Sequence, residues 1–132
     1  SHGNVSSFSP ELLGLKNEAY RDFLLGNINF QSLQEIRDTC LASPLYRDIR
    51  EGVQACSRSC DYFSVCGGGA PVNKLFENGS FTGTETLYCT LTQMVPTDLI
   101  LEAYDRLAGS ASTEAPRATS PLSPVTGGDA AA

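Results

Sequence analysis

The sequence predicts a small α+β domain, in which a short N-terminal β-hairpin precedes two to three short helices and a loop-rich region with several cysteines. The chain has 132 residues, which is about one domain, and its 41% hydrophobic content is enough for a modest core. Apolar residues recur at helical spacing in two stretches that each begin at a capping residue. Three of the five cysteines fall between Cys56 and Cys66, directly ahead of three glycines.

The first thirty residues predict the hairpin. They mix Gly, Ser and Asn with short apolar runs such as DFLLGNINF. Short apolar runs bounded by turn-forming residues are typical of small antiparallel strands. We therefore expect two short strands, with the turn near Gly26 and Asn27.

Two helices are predicted next. Ser32 followed by Glu35 is a capping-box signature, and it predicts a helix over residues 32–41. Ser43–Pro44 then offers an N-cap followed by proline in the first turn, which predicts a second helix over residues 43–55. The second helix leads the chain to the cysteine-rich segment.

The segment from Cys56 to Cys89 is rich in Gly, Asn, Ser and Thr, and it is expected to consist mainly of loops. Within it, Asn78-Gly79 predicts a tight turn and TETLYCTL is a strand-like run. A last amphipathic helix is expected after Pro96, with Thr97 as its cap and its end near Gly109.

Composition sets the domain boundary. Residues 109–132 contain too few bulky apolar groups to offset the entropy lost on ordering, so we expect a disordered tail after a domain at residues 1–108. The chain also begins without Met, which indicates a cut inside a longer protein.

Charge and hydropathy limit the partners. The chain carries 15 acidic and 9 basic residues, a net charge of -6, and no cluster of Lys or Arg, which argues against nucleic acid or an anionic membrane as a partner. No run of 18 apolar residues occurs, and the polar start lacks the features of a signal peptide. These features predict a soluble, cytoplasmic protein.

The cysteines predict a metal site. Cys56, Cys60, Cys66 and Cys89 are spaced C-x3-C-x5-C-x22-C. Four thiolates suit either tetrahedral zinc or an iron-sulfur cluster. Zinc modules usually contain C-x2-C pairs, which this spacing lacks, and a secreted disulfide framework favours an even number of cysteines. Both a zinc-binding interaction module and a disulfide-stapled secreted domain stay open as alternatives.

Residues around the cysteines have expected roles as well. Cys40 shares a predicted helical face with apolar residues and is interpreted as a core thiol. The glycines after Cys66, among them Gly67 and Gly68, would let the backbone turn closely around an inorganic group. Tyr62 and Phe63 are expected to pack over that group and to exclude water.

One family matches these residues. The stretch CSRSCDYFSVCGGGAPVNKLFENGSF, followed by TETLYC, resembles the C-terminal SPASM domain of radical SAM peptide maturases. The upstream LLGNINFQSLQEI is similar to that family as well, so the resemblance spans about residues 1–95. It implies that the four cysteines at 56, 60, 66 and 89 hold one auxiliary [4Fe-4S] cluster. The first spacing is one residue longer than the commoner x2 of the family.

A full SPASM domain holds two auxiliary clusters, and the resemblance implies that this chain has lost one. Gly3 begins what looks like the family's G-x4-C step, but Phe8 stands where the cysteine is expected. Ala70 stands four positions after Cys66, where the family has a further cysteine. Both departures affect the same site, which is therefore expected to hold no cluster.

Within the family, the chain looks most like the maturases of glycine-rich-repeat precursors, the GrrM-type group, which resemble cyclophane-forming enzymes. The resemblance implies an intact enzyme in which a radical SAM barrel cleaves S-adenosylmethionine and crosslinks a ribosomal precursor peptide. Sulfatase-maturase-like protein oxidation is a further alternative. The barrel's C-x3-C-x2-C motif is absent here, so no catalytic residue is assigned and this chain alone is not expected to cleave S-adenosylmethionine.

Overall fold

The structure, a computed structural model, describes residues 2–7 and 9–112. It divides into two compact units, Ser1–Asp98 and Leu99–Ala132. The α+β class is confirmed, because the described residues form one two-stranded antiparallel sheet and six α-helices. The helices are α1 (Leu33–Leu41), α2 (Pro44–Ser59), α3 (Phe63–Cys66), α4 (Pro71–Asn78), α5 (Leu87–Cys89) and α6 (Val95–Ser112). The predicted tail begins too early, because residues 109–112 belong to α6, and its residues 113–132 lie outside the described residues.

The hairpin pairs strand β1 (Asn4–Ser6) with strand β2 (Leu24–Asn27). The predicted turn position is wrong, because Gly26 and Asn27 lie inside β2, where Gly26 pairs with Val5. Two 3-10 segments, Pro10–Leu12 and Glu18–Phe23, lie in the long connection between the strands. Asn27 does not form a turn. Its side chain holds β2 against the start of the chain, since its Nδ2 donates to the His2 carbonyl and to Asn4 Oδ1, both at 2.8 Å.

Helices α1 and α2 begin where the sequence predicts. Ser32 caps α1, with its Oγ accepting from the Glu35 N–H at 3.3 Å while Glu35 Oε2 accepts from the Ser32 N–H at 2.8 Å. Ser43 caps α2 by accepting from the Tyr46 N–H at 3.1 Å. Helix α2 continues beyond the predicted end at Ala55 and finishes at Ser59.

The segment from Cys56 to Cys89 contains more helix than predicted. Asn78-Gly79 does not make a hairpin turn, because Gly79 has a φ of 71° and ends α4 as a left-handed C-cap. The strand-like run TETLYCTL forms no strand, and its residues 87–91 are helical, since the Thr86 hydroxyl caps α5 by accepting from the Cys89 N–H at 3.1 Å. A π-helical turn, Thr90–Met94, then leads directly into α6.

The start of α6 also differs from the prediction. Thr97 is not an N-cap, because it lies inside the helix and its hydroxyl donates back to the Gln93 carbonyl at 2.5 Å. The helix begins at Val95, and Pro96 occupies its first turn. Pro96 lies two residues after the π-helical turn, so the N–H that it lacks falls where the regular α-helical hydrogen-bond ladder is already displaced.

The core is built from the hairpin connection, α2 and the loop after α4. Its fully buried members are Leu12, Phe23, Leu45 and Phe81. Tyr20 packs edge-on against Phe81, with ring centroids 5.2 Å apart. Gly52 of α2 faces the Phe81 backbone so closely that a Cβ on Gly52 would lie 2.0 Å from the Phe81 carbonyl oxygen. This contact joins α2 to the chain that leads to Cys89.

Tyr20 makes the free energy of unfolding depend on pH in the alkaline range. Burial, and then the hydrogen bond that its hydroxyl donates to Asp48 Oδ2 at 3.0 Å, raise the pKa of Tyr20 above its usual 10.0. A raised folded-state pKa adds stability that is fully present below pH 10.0 and is lost as the pH rises through the folded value. We expect urea unfolding to show stability that falls as the pH rises above 10.0, and Tyr20→Phe to flatten that fall. If the free energy of unfolding fell equally with pH in the starting protein and in Tyr20→Phe, the raised pKa would not belong to Tyr20.

Candidate functional site

Four cysteines converge on one cavity of about 250 Å³. Cys56 lies in the last turn of α2, Cys60 follows that helix, Cys66 ends α3 and Cys89 ends α5. The ends of three helices therefore bring together residues that are up to 33 positions apart in the sequence (89 minus 56). These are the four cysteines that the sequence singled out.

The cysteines differ in exposure. Cys56 and Cys89 are buried, whereas Cys60 and Cys66 are half-buried. All five cysteines of the chain are free thiols. Cys40, predicted as a core thiol, is half-buried on α1 and is absent from the residues that line the cavity.

The two buried sulfurs have hydrogen-bonding neighbours. Lys74 Nζ lies 3.1 Å from Cys56 Sγ, and the carbonyl oxygens of Gly68 and Thr84 lie 3.7 and 3.8 Å from the same sulfur. The Thr86 hydroxyl donates to Cys89 Sγ at 3.1 Å. Hydrogen bonds to ligand sulfurs are among the features that set the potential of an iron-sulfur cluster.

The glycines after Cys66 have unequal roles. Gly68 is buried, lines the cavity and has a φ of 107°. Gly69 has a φ of 72°, and a Cβ there would lie 3.2 Å from Cys89 Sγ. Gly67 is exposed with open space around it, and its φ of 66° makes it the C-cap of α3. A Cβ at Gly68 would instead lie 3.3 Å from Val53 of α2, so of these glycines only Gly69 closely approaches a cysteine sulfur.

The two aromatic residues are placed differently as well. Tyr62 lines the cavity, and its hydroxyl donates to both carboxylate oxygens of Asp98, at 2.8 and 3.0 Å. That hydrogen bond to a carboxylate raises the pKa of Tyr62. Phe63 is half-buried at the start of α3 and does not line the cavity.

The positions assigned to the lost second cluster give less information. Ala70 is half-buried and is the N-cap residue of α4. Phe8 lies outside the described residues. The loss of a second cluster therefore stays a prediction.

Polar residues near Cys89 hold the loop in place. Both oxygens of Glu77 accept from the first N–H groups of α5, that of Leu87 at 2.5 Å and that of Tyr88 at 3.3 Å. Asn78 Nδ2 donates to the Glu85 carbonyl at 3.0 Å. Glu77 and Asn78 thereby connect α4 to the short helix that carries Cys89.

Sequence reasoning missed Lys74 and Thr86, whose side chains donate hydrogen bonds to the buried sulfurs. Threonine is a common N-cap residue, so Thr86 could have been recognised as the start of a helix that carries Cys89 three residues later. Lys74 has no comparable signal, because lysine is rarely buried. Its helical position relative to Cys56 becomes apparent only in the folded chain.

The site suits a group of several atoms. One water molecule needs only about 10–15 Å³ of such a volume, whereas this cavity has about 250 Å³. Zinc would need four sulfurs at about 2.3 Å from one central atom. In the part of the chain that the structure describes, no group of three or more His, Cys, Asp or Glu side chains is arranged to hold a metal ion. That finding applies to the four cysteines as well, so a cluster at this cavity is a proposal that rests on the four thiols and on the volume they line.

The comparisons with known proteins identify one relative. An uncharacterized protein of Synechocystis sp. is 42% identical over 109 residues. The match covers 83% of this chain and 27% of the relative, so the matched segment is about a quarter of that protein. Neither the models of known protein families nor the solved structures give a match.

The helices were also compared with the requirements of a membrane span. Within residues 2–7 and 9–112, none is both long enough and apolar enough to cross a bilayer. Helix α6, with 18 residues, has the length but also carries charged residues such as Asp98, Glu102 and Arg106.

Proposed function

We propose that this chain is the auxiliary [4Fe-4S]-binding part of a radical SAM enzyme that modifies a ribosomally made peptide. The observation that carries the proposal is the convergence of Cys56, Cys60, Cys66 and Cys89 on one cavity. Their spacing is the part of the sequence that resembles the SPASM domain. The GrrM-type, cyclophane-forming group is the subgroup we propose, with a glycine-rich precursor peptide as the substrate.

The cysteines would be the four ligands of the cluster. When bound, such a cluster supplies a one-electron acceptor or donor. The chain itself orients the sulfurs through the ends of α2, α3 and α5, and it keeps water from the two buried ones. Gly68 allows the backbone that lines the cavity to pack against Val53 of α2, and Gly69 leaves room beside the Cys89 sulfur.

The rest of the enzyme is part of the proposal. The radical SAM barrel and its S-adenosylmethionine would be supplied outside this chain, which lacks the C-x3-C-x2-C motif. The longer Synechocystis relative is compatible with that, because the matched segment is 27% of its length. We propose a cytoplasmic location, where reducing conditions keep thiols such as these five free.

Anaerobic loading of the chain with iron and sulfide tests the proposal. We expect about four irons and four sulfides per chain, with a broad visible absorption that dithionite bleaches. A colourless protein that binds one zinc would support the interaction-module alternative and contradict the cluster. Thiol titration that finds the cysteines paired in disulfides would do the same for the secreted-domain alternative.

A further inference from the structure

Lys74 is a charged residue placed almost entirely out of solvent. It lies on α4 and is 2% exposed. Its Nζ donates to the Gly52 carbonyl at 3.0 Å and to Cys56 Sγ at 3.1 Å. The amine therefore lies between a helix backbone and a sulfur that lines the cavity.

The charge of this lysine needs compensation. An ammonium buried without an opposite charge is strongly unfavourable. None of the four salt bridges among the described residues involves Lys74. Of its two hydrogen-bond acceptors, the Gly52 carbonyl is neutral. The Cys56 sulfur is the acceptor that carries negative charge when it serves as a metal ligand.

We propose that Lys74 is the buried counter-charge of Cys56 in the loaded site and that it raises the reduction potential of the cluster. This inference rests on the proposed function, since it requires Cys56 to be a cluster ligand. Reduction by an external one-electron donor adds one negative charge to the cluster and its sulfurs. A fixed cation hydrogen-bonded to one of those sulfurs stabilises the reduced form more than the oxidised form.

The position makes this effect large compared with that of a surface charge. Charges in the interior interact through a lower effective dielectric constant and are screened little by salt. The other lysine of the chain is Lys16, whose side chain is 84% exposed and forms a salt bridge with Asp22. The two lysines therefore give a matched comparison between a buried and an exposed ammonium.

The experiment compares Lys74→Met, Lys74→Gln and Lys74→Arg with Lys16→Met, all in the 132-residue chain loaded anaerobically with iron and sulfide. Iron content is measured first, and the midpoint potential is then measured by dye-mediated titration. We expect Lys74→Met to shift the reduction equilibrium at least tenfold toward the oxidised cluster, which is about 59 mV for one electron. Lys74→Gln should shift it less, because it keeps a neutral N–H donor. Lys74→Arg and Lys16→Met should stay near the starting potential.

Each other outcome also decides the question. If both neutral variants fail to retain iron while Lys74→Arg and Lys16→Met retain it, a positive charge is required at this position and Lys74 stands as the counter-charge of Cys56. If all three Lys74 variants lose iron, the shape of the side chain and not its charge is what matters, and the inference fails. Neutral variants that keep both iron and the original potential overturn it without affecting the proposed function. A starting chain that binds no iron contradicts both.

Discussion

Replacing Cys66 with Ala is expected to abolish the cluster, lowering the iron content from about four per chain to less than one. Cys66 ends α3, a helix of four residues that contributes no other cysteine to the cavity. Its loss leaves three sulfurs at the cavity, those of Cys56 in α2, Cys60 directly after α2 and Cys89 in α5, and removes the fourth ligand. Iron and sulfide analysis after anaerobic loading measures the effect, together with the visible absorption.

Cys40→Ala is the matched control for that experiment. Cys40 is half-buried like Cys66, but it lies on α1 and does not line the cavity. We expect this variant to bind as much iron as the starting chain. Full iron retention in Cys66→Ala, or equal loss in the two variants, would refute the ligand assignment.

Gly52→Ala is expected to lower the free energy of unfolding by about 3 kcal/mol, at the upper end of what overpacking costs. The new Cβ would lie 2.0 Å from the Phe81 carbonyl oxygen, and backbone atoms cannot rotate away as a flexible side chain can. The same glycine provides the carbonyl that accepts from Lys74 Nζ. Urea unfolding measures the effect as a lower midpoint at unchanged slope.

Gly109→Ala provides the comparison within another helix. Gly109 belongs to α6, and among the described residues no atom outside that helix's own backbone lies within 4 Å of a Cβ placed there. Alanine in a helix is more favourable than glycine by about 0.5–1 kcal/mol, so this variant should be neutral or slightly more stable. Similar midpoints for the two variants would show that α2 and the Phe81 backbone are not in close contact.

The parts of the fold that sequence predicts well are those with local causes. The Ser32 and Glu35 capping box and the Ser43 cap involve residues three positions apart, and both helices begin at these caps. The wrong predictions came from sequence signals that are common to two kinds of structure. Asn-Gly favours a left-handed glycine, which occurs in hairpin turns and equally at helix ends, and here Gly79 ends α4.

Some residues of the site could likewise be predicted from local sequence, and others could not. The four cysteines could be selected by spacing, and the structure brings them to one cavity. The buried Lys74 and the Gly52 approach to Phe81 could not be predicted, because both depend on contacts between residues 18 or more positions apart. Propensity and periodicity describe a residue's own helix. They do not indicate which neighbour that helix will meet.

The π-helical turn Thr90–Met94 has a mechanical consequence for Cys89. A π-turn is a helical turn with one additional residue, and α-helix advances by about 100° per residue. Deleting one residue from this turn would restore regular α-helix and rotate Cys89 by about 100° relative to Asp98, the residue that accepts from Tyr62. The extra residue thus acts as a spacer that sets the angle at which the last sulfur meets the other three.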